Sequence, residues 1–192
     1  WLLTNFLGSV FLVVIVLFQA DIRRALSTMG TGRFWRRVRR SEEAEGIVRE
    51  VVLAVFRMAR TSTGALLVIE RDIPLGDVIQ RGVELSAKVT KALLITIFHP
   101  GTPLHDGAVV ISRDQVAAAG CILPLAAISG LDSVYGTRHR AALGITEESD
   151  CLVVVVSEER GVVSLAEKGE IVACADEATL RDKLWDVWGR RI

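Results

Sequence analysis

Twenty residues at the front of this sequence, Trp1 to Ala20 (WLLTNFLGSVFLVVIVLFQA), carry no charge. As a helix rising about 1.5 Å per residue, such a stretch spans roughly 30 Å, the thickness of a bilayer core. It is apolar on every side, which argues against a core helix with a single buried stripe. It also lacks the basic n-region and small-residue cleavage site of a signal peptide. Residues 1–20 are therefore read as a transmembrane helix. Because the sequence opens on Trp rather than Met, the helix is expected to be the last of several.

The residues that follow set the orientation. Arg23, Arg24, Arg33, Arg36, Arg37, Arg39 and Arg40 crowd residues 21–40 against the single acid Asp21. A cluster of this kind beside a span faces the cytoplasm. The 23 basic and 23 acidic residues cancel, and the pI is near 7.0, so a generally basic nucleic-acid coat is excluded. The balance conceals a split: residues 1–60 carry ten bases and five acids, and the rest thirteen and eighteen. The basic stretch over 21–40, taken as a juxtamembrane linker or a broken helix, is expected to meet anionic lipid headgroups rather than nucleic acid. Cys121, Cys151 and Cys174 are odd in number and lack CxxC spacing. They are read as buried thiols, not as a disulfide framework or zinc site.

Beyond the linker, the patterning alternates between helix and strand. Ser41 offers an N-cap, Glu42, Glu43 and Glu45 suit a first turn, and Ile47, Val48, Val51, Val52, Val55 and Met58 recur at helical spacing. A helix is expected over 41–60. Continuous apolar runs at 64–69, 107–111 and 152–156 read as buried strands. Shorter strands are expected at 115–118, 121–123, 161–165 and 171–173, and helices at 91–98, 138–145 and 178–188. Strands flanked by helices describe an α/β domain over 41–192, with a mixed central β-sheet.

Three loops carry more polar groups than a solvated turn needs. They are Thr102-Pro103-Leu104-His105-Asp106-Gly107-Ala108, Gly136-Thr137-Arg138-His139-Arg140 and Ser157-Glu158-Glu159. Polar groups at strand ends and helix starts are where an α/β sheet builds its site. Blander readings exist: Asp106-Gly107 as a turn dipeptide, His105 as its hydrogen-bonding partner, and Arg138 with Arg140 as a solvated helix end. Cations at a helix N-terminus, however, oppose the dipole unless an anion binds there. A polyphosphate removes the conflict, because Arg forks, His139 and helix-start amides all donate to phosphate oxygens. An acid such as Asp106 complements them by holding a divalent cation or accepting a hydroxyl proton. With no GxxxxGK[ST] and no GxGxxG, neither a P-loop nor a Rossmann site is indicated.

Taken together and in order, GALLVIER (64–71), TPLHDGAVVI (102–111), LPL (123–125), GTRHRAALGITEESD (136–150) and VVSEERG (155–161) resemble the diadenylate cyclase family, over roughly residues 60–170. A span ahead of the domain is similar to the membrane-anchored type. The resemblance implies the fold of that family's DAC domain and condensation of two ATP into cyclic di-AMP, with two pyrophosphates released. It implies that Asp106 assists the 3′-hydroxyl and holds a divalent metal ion (Mg2+ or Mn2+), with His105 as a second metal contact. Gly107 and Ala108 would line the ribose, and Leu123 would present backbone groups to the adenine. Thr137, Arg138, His139 and Arg140 would handle the phosphates, together with Ser157 and Glu159. One position departs from the pattern: Ile122 stands where an aromatic often precedes the Leu, which makes the adenine contact aliphatic.

A ring of two nucleotides needs two sites facing each other across a two-fold axis, so a face-to-face homodimer is expected. A lipid bilayer and a membrane-associated regulator complete the expected partners. The rival readings are a non-catalytic nucleotide sensor, which loss of Asp106 or the RHR cluster would have favoured, and a structural membrane tether.

Overall fold

A computed structural model of the chain describes residues 32–126 and 136–189. The expected span over 1–20 and residues 21–31 of the expected linker lie outside the described residues. Among the described residues, no helix is long and apolar enough to cross a membrane. The chain divides into two units, Trp1–Ser41 and Glu42–Ile192.

The described elements are, in order, helix α1 (Gly32–Arg60), strand β1 (Ala65–Ile69), the short helix α2 (Gly76–Ile79), β2 (Val83–Lys88), α3 (Lys91–Ile97), β3 (Ala108–Ser112), β4 (Gln115–Cys121), α4 (Thr137–Glu148), β5 (Leu152–Val156), β6 (Val163–Glu167), β7 (Glu170–Ala173) and α5 (Glu177–Gly189). The strands form one sheet in the order β2-β4-β3-β1-β5-β6-β7. β1 and β3 run parallel, and every other neighbouring pair is antiparallel. The sheet is therefore mixed, as the apolar runs implied.

The central strands β1 and β5 are buried at every position, which is why they read as unbroken apolar runs rather than alternating ones. Their residues divide between two cores by the two-residue period of a strand. Leu67, Ile69, Val109, Ile111, Val154 and Val156 pack with Val51, Val55 and Met58 of α1, Leu94 of α3, and Leu180 and Leu184 of α5. Leu66, Val68, Val110, Val153 and Val155 pack with Ala141, Ala142 and Ile145 of α4 and Val78 of α2. Emptying such a site, as Leu67→Ala would, costs about 2–5 kcal/mol.

Four local expectations are corrected. Residue 41 lies inside α1, which begins at Gly32, so Ser41 is not an N-cap and the helix expected from residue 41 starts earlier. β4 is one strand through Cys121, and Ile122 and Leu123 leave it as a loop. The strand expected at 161–165 begins at Val163, because Gly161, with φ of +60°, still belongs to the preceding turn. Finally, α2 and β2 were not anticipated. β2 is an edge strand with alternating exposure, and its register shifts between Glu84 and Ala87 around Ser86, which has φ of +47°.

Candidate active site

The sheet topology brings the three polar loops to one end. The parallel strands β1 and β3 begin at this end, while the antiparallel β4 and β5 finish there; Ala65 pairs with Val156 and Ala108 with Cys121. Gly64, the loop 102–107, the loop 122–126 and Ser157 are therefore the positions just past the strand ends. With strands about 4.8 Å apart, the β3 and β5 ends lie roughly 10 Å from each other.

The β3 entrance depends on Gly107. Its φ is +135°, and a Cβ there would stand 2.7 Å from the Gly120 carbonyl carbon. Only glycine combines that backbone conformation with so close an approach of β4. The turn leaves Asp106 exposed at the rim. His105 is half-buried, and its Nδ1 lies in hydrogen-bonding contact with the Thr102 carbonyl. Thr102 in turn donates its hydroxyl to the Ile97 and His99 carbonyls at 2.9 and 2.8 Å, tying the loop to the end of α3.

Helix α4 starts at Gly136, which supplies no side-chain cap. The His139 and Arg140 N–H groups donate to the Gly136 carbonyl at 3.0 and 3.2 Å. His139 is 5% exposed, and burial lowers its pKa below 6.5, reinforced by Arg160 and opposed by Glu159. Arg138 Nη1 donates to Glu158 Oε2 at 2.7 Å, an ion pair whose side chains are 21% and 59% exposed. Gly64 lies directly beneath it: a Cβ there would be 2.3 Å from Arg138 Nη1 and 2.7 Å from Glu158 Oε2. Ser157 closes the turn after β5, with its hydroxyl accepting from the Arg160 N–H at 3.3 Å and its carbonyl from the Gly161 N–H at 2.9 Å.

These residues enclose a cleft of about 250 Å³ lined by residues 136–139 and 156–160. Of the residues singled out in the sequence, Thr137, Arg138, His139, Ser157 and Glu159 share this lining. Arg140, His105, Asp106, Gly107, Ala108 and Leu123 do not, although the last five sit at the same end of the sheet. Ala108 is fully buried and Leu123 is 7% exposed, so Ala108 can offer substrate only backbone groups. Two participants were missed. Glu158 was quoted within VVSEERG but given no role, because sequence does not tell which of two adjacent acids turns toward Arg138. Gly64 carried a signal only as the residue before a buried strand.

The described residues contain no group of three His, Cys, Asp or Glu side chains able to cage a metal. One exposed carboxylate, Asp106, with His105 beside it, suits an ion held by one or two protein ligands and completed by substrate phosphates, as Mg2+ commonly is. Asp106 and His105 thus fit a divalent ion that substrate phosphates help to hold.

Fold and cleft define a mixed α/β domain with a polar cleft at a helix start, lined by two arginines, a histidine and two glutamates. Comparison with known proteins narrows this. Residues 52–171 match the family model described as DAC, DisA bacterial checkpoint controller nucleotide-binding. The chain is 44% identical over 186 residues to the cyclic di-AMP synthase CdaA of Bacillus subtilis (strain 168), covering 96% of this chain and 68% of that one. It is 41% identical over 182 residues to the diadenylate cyclase of Listeria monocytogenes serotype 1/2a (strain 10403S), covering 94% and 67%. The crystal structure of DacA from Staphylococcus aureus superposes with a TM-score of 0.74 at 37% identity, over 77% of this chain and 98% of that one. A hypothetical membrane spanning protein from Bacillus cereus aligns with a TM-score of 0.64 at 42% identity, over 67% and 63%. The chain belongs to the DAC family of diadenylate cyclases, and within it to the CdaA type.

Proposed function

We propose that this protein condenses two ATP into cyclic di-AMP and two pyrophosphates, at the cytoplasmic face of the membrane and as a face-to-face pair of identical domains. The 3′-oxygen of each ATP attacks the α-phosphorus of the other. A new P–O3′ bond forms, the bond between the α-phosphorus and its bridging oxygen breaks, and pyrophosphate leaves with the electron pair. The hydroxyl proton passes to Asp106 or to water; the step then repeats in the opposite direction to close the ring.

The observation that carries this reading is the cationic first turn of α4, facing the Ser157–Arg160 turn across a cleft at the sheet end that also holds Asp106. Thr137, Arg138, His139 and Arg140 bind and orient the triphosphate, with Ser157 and Glu159 on the opposite wall. Arg138 brings a charged fork already held in place by Glu158. His139, kept neutral by its lowered pKa, presents one N–H to a phosphate oxygen. Gly107 and Ala108 border the ribose, and Leu123 meets the adenine. A divalent ion, Mg2+ or Mn2+, would be held by Asp106 with His105, and when bound it would neutralise charge building on the α-phosphate and leaving group. Residues 1–20 anchor the domain to the bilayer, residues 21–40 contribute basic groups toward the headgroups, and a membrane-associated regulator would act through that anchor.

The test is incubation of the protein with ATP and Mn2+ or Mg2+, followed by mass spectrometry for cyclic di-AMP over a dilution series. Product whose yield per protomer falls on dilution faster than ATP binding supports the reading. ATP retained unchanged, or turnover independent of concentration in a demonstrated monomer, refutes it.

A further inference from the structure

The base and phosphate sides of the site are carried by different pieces of chain, and one helix touches both. The first turn of α4 holds Arg138, His139 and Arg140. One turn further along, Gly144 is buried against the loop that carries Leu123. A Cβ built there would stand 2.3 Å from the Pro124 carbonyl oxygen, 2.8 Å from its carbon and 2.9 Å from the Ala126 nitrogen. All three are backbone atoms, so no side-chain rotation relieves the overlap. Beside them, the Ala126 N–H donates to the Arg140 carbonyl at 3.1 Å. Helix backbone and loop backbone therefore touch directly, and both Leu123 and Ala126 are buried. Glycine inside a helix is less favourable than alanine, and Gly144 is helical with no positive φ, so close approach is what this position requires.

We propose that Gly144 is a positioning residue which sets the distance between the base subsite and the phosphate subsite, and so favours ligands that occupy both at once. This rests on the assignment of Leu123 to the base given above. Restoring ordinary contact at 3.4 Å would drive the Pro124–Ala126 backbone outward by about 1 Å. The Arg138–Arg140 turn, on the helix itself, would stay. A nucleoside triphosphate would then fit one subsite at the expense of the other, while a bare polyphosphate would not register the change.

The experiment compares ATP with inorganic tripolyphosphate by calorimetric titration of the full chain in detergent, alongside cyclic di-AMP turnover. For Gly144→Ala, ATP affinity is expected to fall roughly tenfold and turnover on the order of a hundredfold, with tripolyphosphate affinity within about twofold of the parent. Ala126→Pro, which removes the N–H bonded to Arg140, tests the same contact if Gly144→Ala does not fold, and the same selective loss is expected. Equal weakening of both ligands, or no change in their ratio in either folded variant, overturns the inference. Ile122→Ala, at the exposed position whose aliphatic side chain the base would meet, separates the two levels. If it leaves the ATP to tripolyphosphate ratio at the parent value, the base assignment itself fails. If it shifts that ratio while the Gly144 and Ala126 variants do not, only the positioning role fails.

Discussion

Gly64→Ala should uncouple activity from stability. The added methyl would sit 2.3 Å from Arg138 Nη1, 2.7 Å from Cζ and 2.7 Å from Glu158 Oε2, all far ends of flexible side chains. To recover ordinary contact, the guanidinium must move by about 1 Å, on the scale at which misplacement of a catalytic group costs on the order of a hundredfold in rate. If the move removes one charge-assisted bond to phosphate, ATP binding loses about 1.5–3 kcal/mol, roughly ten- to a hundredfold in Kd. Folding should barely notice. With Glu158 59% exposed, the Arg138–Glu158 pair is screened and contributes about 0–1 kcal/mol. Gly64 has no positive φ, so alanine also narrows the unfolded ensemble, a gain of about 0.4–1 kcal/mol that offsets the loss. The assay is ATP titration calorimetry beside thermal denaturation. An unchanged ATP Kd would show that Arg138 does not grip phosphate. A Tm drop as large as that of a core truncation would show that Gly64 is needed for packing.

Asp106→Asn keeps size and one acceptor but loses the negative charge, so turnover should collapse while ATP still binds in calorimetry, as expected of an interaction stronger in the transition state; near-normal turnover would leave Asp106 a turn residue. Deleting residues 1–40 should leave a folded, soluble domain by circular dichroism, since the compact unit Glu42–Ile192 lies wholly beyond the cut; an unfolded spectrum would place the boundary elsewhere. Acid should weaken the fold through His139. Below pH 6.5 the unfolded chain takes up a proton that the native imidazole, its pKa lowered by burial, refuses, so stability held above that pH is lost as pH falls through the native value. Urea midpoints at pH 7.5 and 5.5 should therefore separate more in the parent than in His139→Gln, and equal separations would refute the assignment.

How much of this was legible in the residues depends on where each stands in the sheet. Ala65–Ile69, Ala108–Ile111 and Leu152–Val156 announce themselves because strands buried on both faces must be apolar throughout. β2 did not, because an edge strand half in solvent, with Ser86 breaking its alternation, has no such requirement. Ser41 fits every local rule for a cap, yet the helix runs through it. Capping is worth only about 1 kcal/mol and does not stop a helix whose preceding residues can continue it.

Sequence by itself determined the chemistry available. Two arginines and a histidine at a helix start oppose the helix dipole and call for a negative partner, a carboxylate or a bound anion, and an Asp-Gly turn entering a buried strand places a carboxylate at a sheet end. Tertiary structure alone decided which groups act together. Glu158 rather than Glu159 meets Arg138, Gly64 makes room for that pair from 74 positions away in the chain, and Gly144 seats the Leu123 loop. These are close approaches between segments that the chain joins only through the sheet register. A glycine's meaning there lies in the atom its missing Cβ would strike, and no local pattern encodes that atom.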